Sequence, residues 1–280
     1  MFATLGILQH ADPALWREHR FGMPLDRWQR LAGKSYWITG AGTGYGRSMA
    51  VALAAAGGQL FLTGRRADKL RETLDEMHRY GIATDDCHPV VCDLTNPDEI
   101  RAACCQVRSE CFSLYGLVNN AALPASGRRL PLQEDELVDW ERTLRTNLTA
   151  PWLLTKEMLP HMLKENRARV LFITSEAGWA STPGFGPYNV VKAALNGLSA
   201  SFAAECATAF SKSDLQINAL IPGEARTEMN RQALESPYSV VSMVLALLSH
   251  GSGGPNGKFF HRDGRHFDFA YAKFYGRSLL

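Results

Sequence analysis

A short apolar run that stops at a cluster of glycines and restarts as a helix leaves a chain few folds to choose from. Here the run is Ser35-Tyr36-Trp37-Ile38-Thr39, and the cluster is Gly40-Ala41-Gly42-Thr43-Gly44-Tyr45-Gly46. Helix-compatible residues follow over 47–56. Glycines in such a turn permit unusual dihedrals and let a phosphate approach the backbone. The helix that follows offers unpaired N–H groups and a positive dipole end to that phosphate. A merely flexible glycine loop is the plain alternative, but the strand-loop-helix setting favours dinucleotide binding. Strand-like and helix-like segments alternate from Lys34 onward, with strands expected at 36–39, 60–63, 89–93, 116–119, 170–174, 216–221 and 258–261. That alternation predicts a Rossmann-like, doubly wound α/β fold: a mostly parallel, seven-stranded sheet with helices on both faces. A chain of 280 residues, 46% apolar, can fill one such core.

Chemistry is suggested further along. In Gly186-Pro187-Tyr188-Asn189-Val190-Val191-Lys192, proline suits the first turn of a helix, and a spacing of four puts Tyr188 and Lys192 on one face. A free tyrosine, with a pKa near ~10, is a poor acid-base catalyst at neutral pH. A lysine beside it favours the phenolate and lowers that pKa toward a useful range. Alone, such a pair is common enough to be an ordinary amphipathic helix. Together with the glycine loop it carries weight.

With both elements present, the chain resembles the short-chain dehydrogenase/reductase superfamily, in its single-domain branch. The family pattern T-G-x-x-x-G-x-G is matched by Thr39, Gly40, Gly44 and Gly46, with Thr43 and Tyr45 inside the loop, and Tyr-x-x-x-Lys by Tyr188 and Lys192. The family's catalytic serine, thirteen residues before the tyrosine, falls on Ser175, and its catalytic asparagine on Asn147. Its Asn-Asn-Ala-Gly segment appears as Asn119-Asn120-Ala121-Ala122. Its Pro-Gly turn with a following threonine appears as Pro222, Gly223 and Thr227, and its adenine-contacting pair as Asp93 and Leu94. The resemblance spans residues 34–264 in the family's order.

Several positions depart from the pattern: Ala122 for the last glycine, Tyr45 for a small aliphatic, Val191 for serine, Glu224 after the Pro-Gly turn, and Arg265 for a second glycine. None removes a catalytic group. The resemblance implies hydride transfer between a nicotinamide and a carbonyl or alcohol carbon of a small molecule. Tyr188 would be the proton donor, Ser175 would hydrogen-bond the substrate oxygen, Lys192 would serve both tyrosine and ribose, and Asn147 would fix a water. An extended-type epimerase or dehydratase also uses Tyr-x-x-x-Lys but carries a larger C-terminal region than the fifty or so residues after Thr227. A non-enzymatic NADP-binding sensor on the same fold would ordinarily have lost part of the catalytic set.

Nucleotide choice is read from the end of the second strand. An acidic residue about 20 positions past the glycine loop selects NAD. Counting from Gly44 reaches Gly64, followed by Arg65 and Arg66. A guanidinium there suits a 2′-phosphate, and two arginines at a helix start are otherwise at the electrostatically wrong end. NADP(H) is expected over NAD(H).

A formal charge of +2 without a Lys/Arg block argues against nucleic acid. The longest apolar stretch, 240–248, is far short of the about 20 residues of a membrane span. Six cysteines without metal-ligand spacing read as reduced thiols in a cytoplasmic protein, and no signal peptide pattern opens the chain. Residues 1–33 lie outside the expected 34–280 domain and read as an arm, packed on its own domain or a neighbour, with Trp16, Phe21 and Trp28 as anchors. Apolar residues across 133–166 (Leu137, Trp140, Leu144, Trp152, Leu153, Met158 and Met162) suit a homodimer or homotetramer. Leu123, Pro124, Trp179, Phe185 and Glu224, by their places next to the motifs, suit either the lining of a substrate pocket or packing. Only a short segment separates Thr227 from the helix expected at Ser236-Pro237, so an open site is expected unless the arm or the tail after His266 covers it.

Overall fold

Residues 12–124, 132–179 and 182–268 are described by the computed structural model of the protein. The glycine cluster does end a strand: β1 (Ser35–Thr39) runs into the loop, and a helix begins at Gly44. Strands β2 (Gln59–Gly64), β3 (Cys87–Val91), β4 (Gly116–Asn119), β5 (Arg167–Ile173), β6 (Asp214–Ile221) and β7 (Lys258–His261) follow. They line up as β3-β2-β1-β4-β5-β6-β7, all parallel. An eighth strand, β8 (His266–Asp268), adds an antiparallel edge on β7, so the expected seven-stranded parallel sheet carries one strand more. The expectation of β3 at 89–93 is shifted, since the strand runs Cys87–Val91. Proline usually opens a strand, but β3 pairs only with β2, and an edge strand tolerates Pro89 in its interior.

Alternation sorts the core. Tyr36 and Ile38 of β1, Leu60 and Leu62 of β2, and Leu171 and Ile173 of β5 bury on one face. Trp37, Phe61, Val170 and Phe172 bury on the other. Small helices α1 (Trp16–His19) and α2 (Leu25–Gln29) precede the sheet. The first face is covered by α3 (Gly44–Ala55), α4 (Ala67–Arg79) and α9 (Val241–Leu248). The second is covered by α5 (Pro97–Glu110), α7 (Ala150–Met162) and α8 (Pro187–Ala209), with α6 (Leu137–Leu144) leading into α7. Helix α5 starts as its sequence requires: Asn96 Oδ1 accepts from the Asp98 N–H at 3.0 Å, with Pro97 in the first turn.

The arm, as far as it is described, is core and not appendage. Phe21 and Leu31 are fully buried, and Phe21 stacks on Tyr238 at 5.9 Å and on Trp28 at 6.2 Å. Ser242 donates to the Phe21 carbonyl at 2.6 Å, while Trp16 donates to the Tyr80 carbonyl at 3.1 Å. Arg20 and Phe21 both take positive φ, a conformation worth about 1–3 kcal/mol of strain per residue that the burial of Phe21 offsets. Residues 12–33 thus pack on the same chain's 34–280 domain. The tail beyond Asp268 and residues 1–11, both weighed as site covers, lie outside the described residues.

On the 133–166 surface, Leu153, Met158 and Met162 are buried on the protein's own sheet, whereas Leu137, Val138 and Trp152 are exposed. All six cysteines are free, and no helix among the described residues is long and apolar enough to cross a membrane.

Replacing Phe21 with alanine should lower stability by about 3–5 kcal/mol, the range for losing a buried phenylalanine. The shift is measurable as a lower urea midpoint. A midpoint within experimental error of the wild type would mean the arm does not anchor the fold.

Candidate active site

Strand order reverses between β1 and β4, because β1 is followed by β2 on one side while β4 leads on to β5 on the other. The loops after those two strands diverge and leave a crevice, the usual ligand position in open α/β sheets. Here it is a cleft of about 540 Å³ lined by the glycine loop, the ends of β2, β3, β4 and β5, and the segment after β6. Its two walls are pinned at the bottom. Thr39 Oγ1 accepts the N–H groups of Asn120 and Ala121, each at 3.0 Å, and Asn120 Nδ2 donates to the Thr39 carbonyl at 2.8 Å.

The glycine loop has a shape that side chains would forbid. Gly40 has φ +68, and a Cβ on it would lie 2.9 Å from the Ala121 Cα. A Cβ on Gly46 would lie 2.1 Å from the Gly40 carbonyl oxygen, so the helix start can press against the turn only with glycine there. Thr43 precedes α3 without a side-chain cap, which leaves the first-turn N–H groups uncapped beside the cleft that Thr43, Gly44 and Tyr45 line. That cradle fits a dinucleotide's phosphates. Tyr45 reaches across and donates to the Gly223 carbonyl at 2.7 Å, tying the loop to the Pro-Gly turn.

Arg65, Arg66, Asp93, Leu94, Ala121, Pro222 and Thr227 line the cleft as the sequence suggested. Asn119 does not. It is 2% exposed and donates to Thr155 at 3.1 Å, so the lining asparagine is its neighbour Asn120. The Asp93 carboxylate is engaged by the Thr95 N–H and hydroxyl, both at 2.9 Å. Lys69, Glu228 and Arg231 also line the cleft and were not foreseen. Arg231 and Glu228 belong to a segment without helix or strand, and nothing in its pattern announces a site.

At the opposite end of the cleft, Tyr188 and Lys192 rise from the first turns of α8, behind Pro187. Ser175, two residues past β5, caps a short turn by accepting from the Ala177 N–H at 3.1 Å, and it hydrogen-bonds Tyr188. The structure thus brings serine, tyrosine and lysine together. The electrostatics differ from the sequence expectation. Burial raises the Tyr188 phenol above its ordinary value, and only the Ser175 hydrogen bond pulls it back. Lys192 does not act as the depressing charge. Its ammonium donates to the Ile173 carbonyl at 2.9 Å, sits 5.5 Å from the Tyr188 ring centroid, and is itself lowered to about 8 by burial.

Asn147 is likewise committed. Its Nδ2 donates to the Leu123 carbonyl at 2.9 Å and its Oδ1 accepts the Leu123 N–H at 2.7 Å. It lies in a π-helical turn, Arg145–Thr149, between α6 and α7. Its side chain anchors the loop after β4. Of the residues suited to pocket lining or packing, Leu123 and Pro124 line the cleft, Phe185 packs edge-on against Tyr188 at 6.1 Å, and Trp179 packs edge-on against Phe259 at 5.3 Å. Glu224 is exposed. The segment between Thr227 and Ser236 forms no helix and is drawn together by the Arg226 N–H donating to the Glu235 carbonyl at 2.8 Å.

Residues 34–237 match the family profile described as short chain dehydrogenase. The chain is 29% identical over 252 residues to 3-oxoacyl-[acyl-carrier-protein] reductase FabG of Aquifex aeolicus, covering 84% of this chain and 98% of that one. It is 29% identical over 202 residues to gluconate 5-dehydrogenase of Gluconobacter oxydans, covering 72% and 75%. Among solved structures, a metagenomic short-chain oxidoreductase in complex with NADP superposes with a TM-score of 0.70 at 28% identity, covering 81% of this chain and 96% of that one. A short chain dehydrogenase from Salmonella enterica serovar Typhi superposes with a TM-score of 0.76 at 25% identity, covering 86% and 99%.

The buried Lys192 charge is a stability cost with a definite sign. Its folded pKa of about 8 lies below the ordinary 10.5, so the unfolded chain holds the proton more tightly. The cost is full below pH 8 and is relieved as pH rises toward 10.5. Lys192→Met should therefore stabilise the ligand-free protein near pH 7 by on the order of 1–3 kcal/mol, with the lost Ile173 hydrogen bond offsetting part of the gain. The advantage should shrink across pH 8 to 10.5 in chemical denaturation. A variant less stable than wild type at pH 7 would contradict this account.

Proposed function

The chain belongs to the short chain dehydrogenase family, and from that membership we propose that it interconverts a carbonyl and an alcohol of a small molecule with NADP(H). One observation carries the reading: Tyr188, hydrogen-bonded by Ser175, and Lys192 line the cleft beyond the end of β5, while Arg65 and Arg66 line it at the end of β2. Those strands are three positions apart in the sheet, about 14 Å at the usual ~4.8 Å spacing. The separation suits an extended dinucleotide whose nicotinamide lies at one end and whose adenosine ribose lies at the other.

When bound, the nicotinamide supplies or accepts the hydride. The residues of the chain handle the oxygen. In reduction, Tyr188 gives its phenolic proton to the substrate carbonyl oxygen, and its raised pKa keeps that proton in place at neutral pH. Ser175 hydrogen-bonds the same oxygen and favours the charge that develops there. Lys192, with one carbonyl partner among the described residues, has donors left for the ribose hydroxyls. A negatively charged phosphate nearby would raise its pKa again, and the ammonium would then favour the phenolate. In oxidation Tyr188 must accept a proton, so that direction should gain with rising pH while reduction loses.

Arg65 makes no ion pair or hydrogen bond with another described residue and is the freer candidate for the 2′-phosphate, which supports NADP(H) over NAD(H). The short segment after Thr227 and the exposed Glu224 and Arg226 support a bulky or polar substrate. The two named relatives fit this class: one is a 3-oxoacyl reductase and the other a gluconate dehydrogenase. Exposed Leu137, Val138 and Trp152 support a homo-oligomer, and six free cysteines support a cytoplasmic setting.

Tyr188→Phe should lose nearly all turnover on a carbonyl panel while NADPH binding, followed by nicotinamide fluorescence, stays near wild type. Near-normal kcat would end the mechanism. Arg65→Ala should weaken NADPH by about 1.5 kcal/mol, the lower end for a charged hydrogen bond because the side chain is exposed, and leave NADH little changed. Equal kcat/KM for the two nucleotides in the wild type would overturn the nucleotide assignment.

A further inference from the structure

The two arginines after β2 are not equivalent. The Arg66 guanidinium is already held: Nη2 donates to Glu228 Oε2 at 2.6 Å and Nη1 to Oε1 at 3.4 Å. Both partners line the cleft, and they stand on opposite walls, one at the end of β2 and the other in the segment after β6. The carboxylate is presented by a closed turn, in which the Thr227 N–H donates to the Asn230 carbonyl and the Asn230 N–H to the Thr227 carbonyl, both at 3.2 Å. A two-pronged guanidinium–carboxylate pair uses the same end-on fork that a phosphate would need. The pair is also weak enough to open, since about half of each side chain is exposed (53% and 46%).

We propose that Glu228 is a nucleotide-selectivity residue: it occupies Arg66 until a 2′-phosphate displaces it, so that NADPH, and not NADH, breaks the bridge across the cleft. The inference rests on the NADP(H) reading above. Two consequences follow. Affinity for the 2′-phosphate is set below what two free arginines would give, and the turn carrying Glu228, next to Thr227, is released only when the phosphorylated nucleotide is bound.

The test measures dissociation constants of NADPH and NADH by fluorescence, with adenosine 2′,5′-bisphosphate and AMP as probes lacking the nicotinamide, for wild type, Glu228→Gln, Arg66→Gln and the double variant. Loss of a nearby negative charge can tighten all four ligands alike, so the ratio is the readout. Glu228→Gln should improve NADPH over NADH, and the bisphosphate over AMP, by a further two- to fivefold, the fold-change matching an exposed ion pair. That gain should vanish when Arg66 is already glutamine. Equal shifts for phosphorylated and unphosphorylated ligands, or a gain that survives in the double variant, would overturn the role of Glu228. If the wild type prefers NADPH and Glu228→Gln leaves the ratio unmoved, this inference falls alone. If the wild type binds NADH as tightly as NADPH, the nucleotide reading falls and takes this inference with it.

Discussion

Thr39 holds the ends of β1 and β4 together with a single hydroxyl that accepts two backbone N–H groups, while Asn120 returns a bond to the Thr39 carbonyl. The two loops at the floor of the cleft are placed from that clasp. It fixes where the glycine loop leaves the sheet, and so where α3 presents its first turn. It also fixes the path of residues 120–124, whose Leu123 is gripped by Asn147. With both walls anchored to the same threonine, a ligand lying over the clasp meets backbone already in position, so little ordering entropy is lost on binding.

The same site carries features that oppose folding. A lysine is buried with one carbonyl partner among the described residues, and α6 passes into α7 through a π-helical turn. Such features persist where the surrounding core over-determines them. Part of that core comes from residues 12–33, with Phe21 and Leu31 fully buried against α9 and its approach. Residues 12–33 share the core cluster with α9, and none of them lines the cleft.

How much was legible in the sequence follows from the range of the interactions. Tyr188, Lys192 and Pro187 are local, and their helix formed as their spacing required. The strand-loop-helix was local too, and Gly46 lies where only glycine fits. Charge states were not local. The spacing of Tyr188 and Lys192 suggested a depressed phenol, but burial by the whole fold outweighs one neighbour four residues away, and the ammonium turned to Ile173 instead. Asn119 and Asn120 are alike in composition, and only the direction of the strand decided which faces the cleft and which faces Thr155. Arg169 escaped notice altogether. It is 1% exposed, held by Asp214 at 2.8 Å and by three backbone carbonyls, a burial that a charged residue in a strand does not advertise.

The sequence by itself determined the doubly wound sheet, the glycine turn, the helix bearing tyrosine and lysine, and the cap of α5, because each depends on periodicity, dihedral limits or hydrogen bonds within a few residues. Tertiary structure alone decided the antiparallel β8, the arm's place in the core, the pairing of Arg66 with Glu228 across 162 residues, and the protonation preferences of Tyr188 and Lys192. These depend on which surfaces are brought together and how completely water is excluded between them, and neither quantity is encoded in any one stretch of chain.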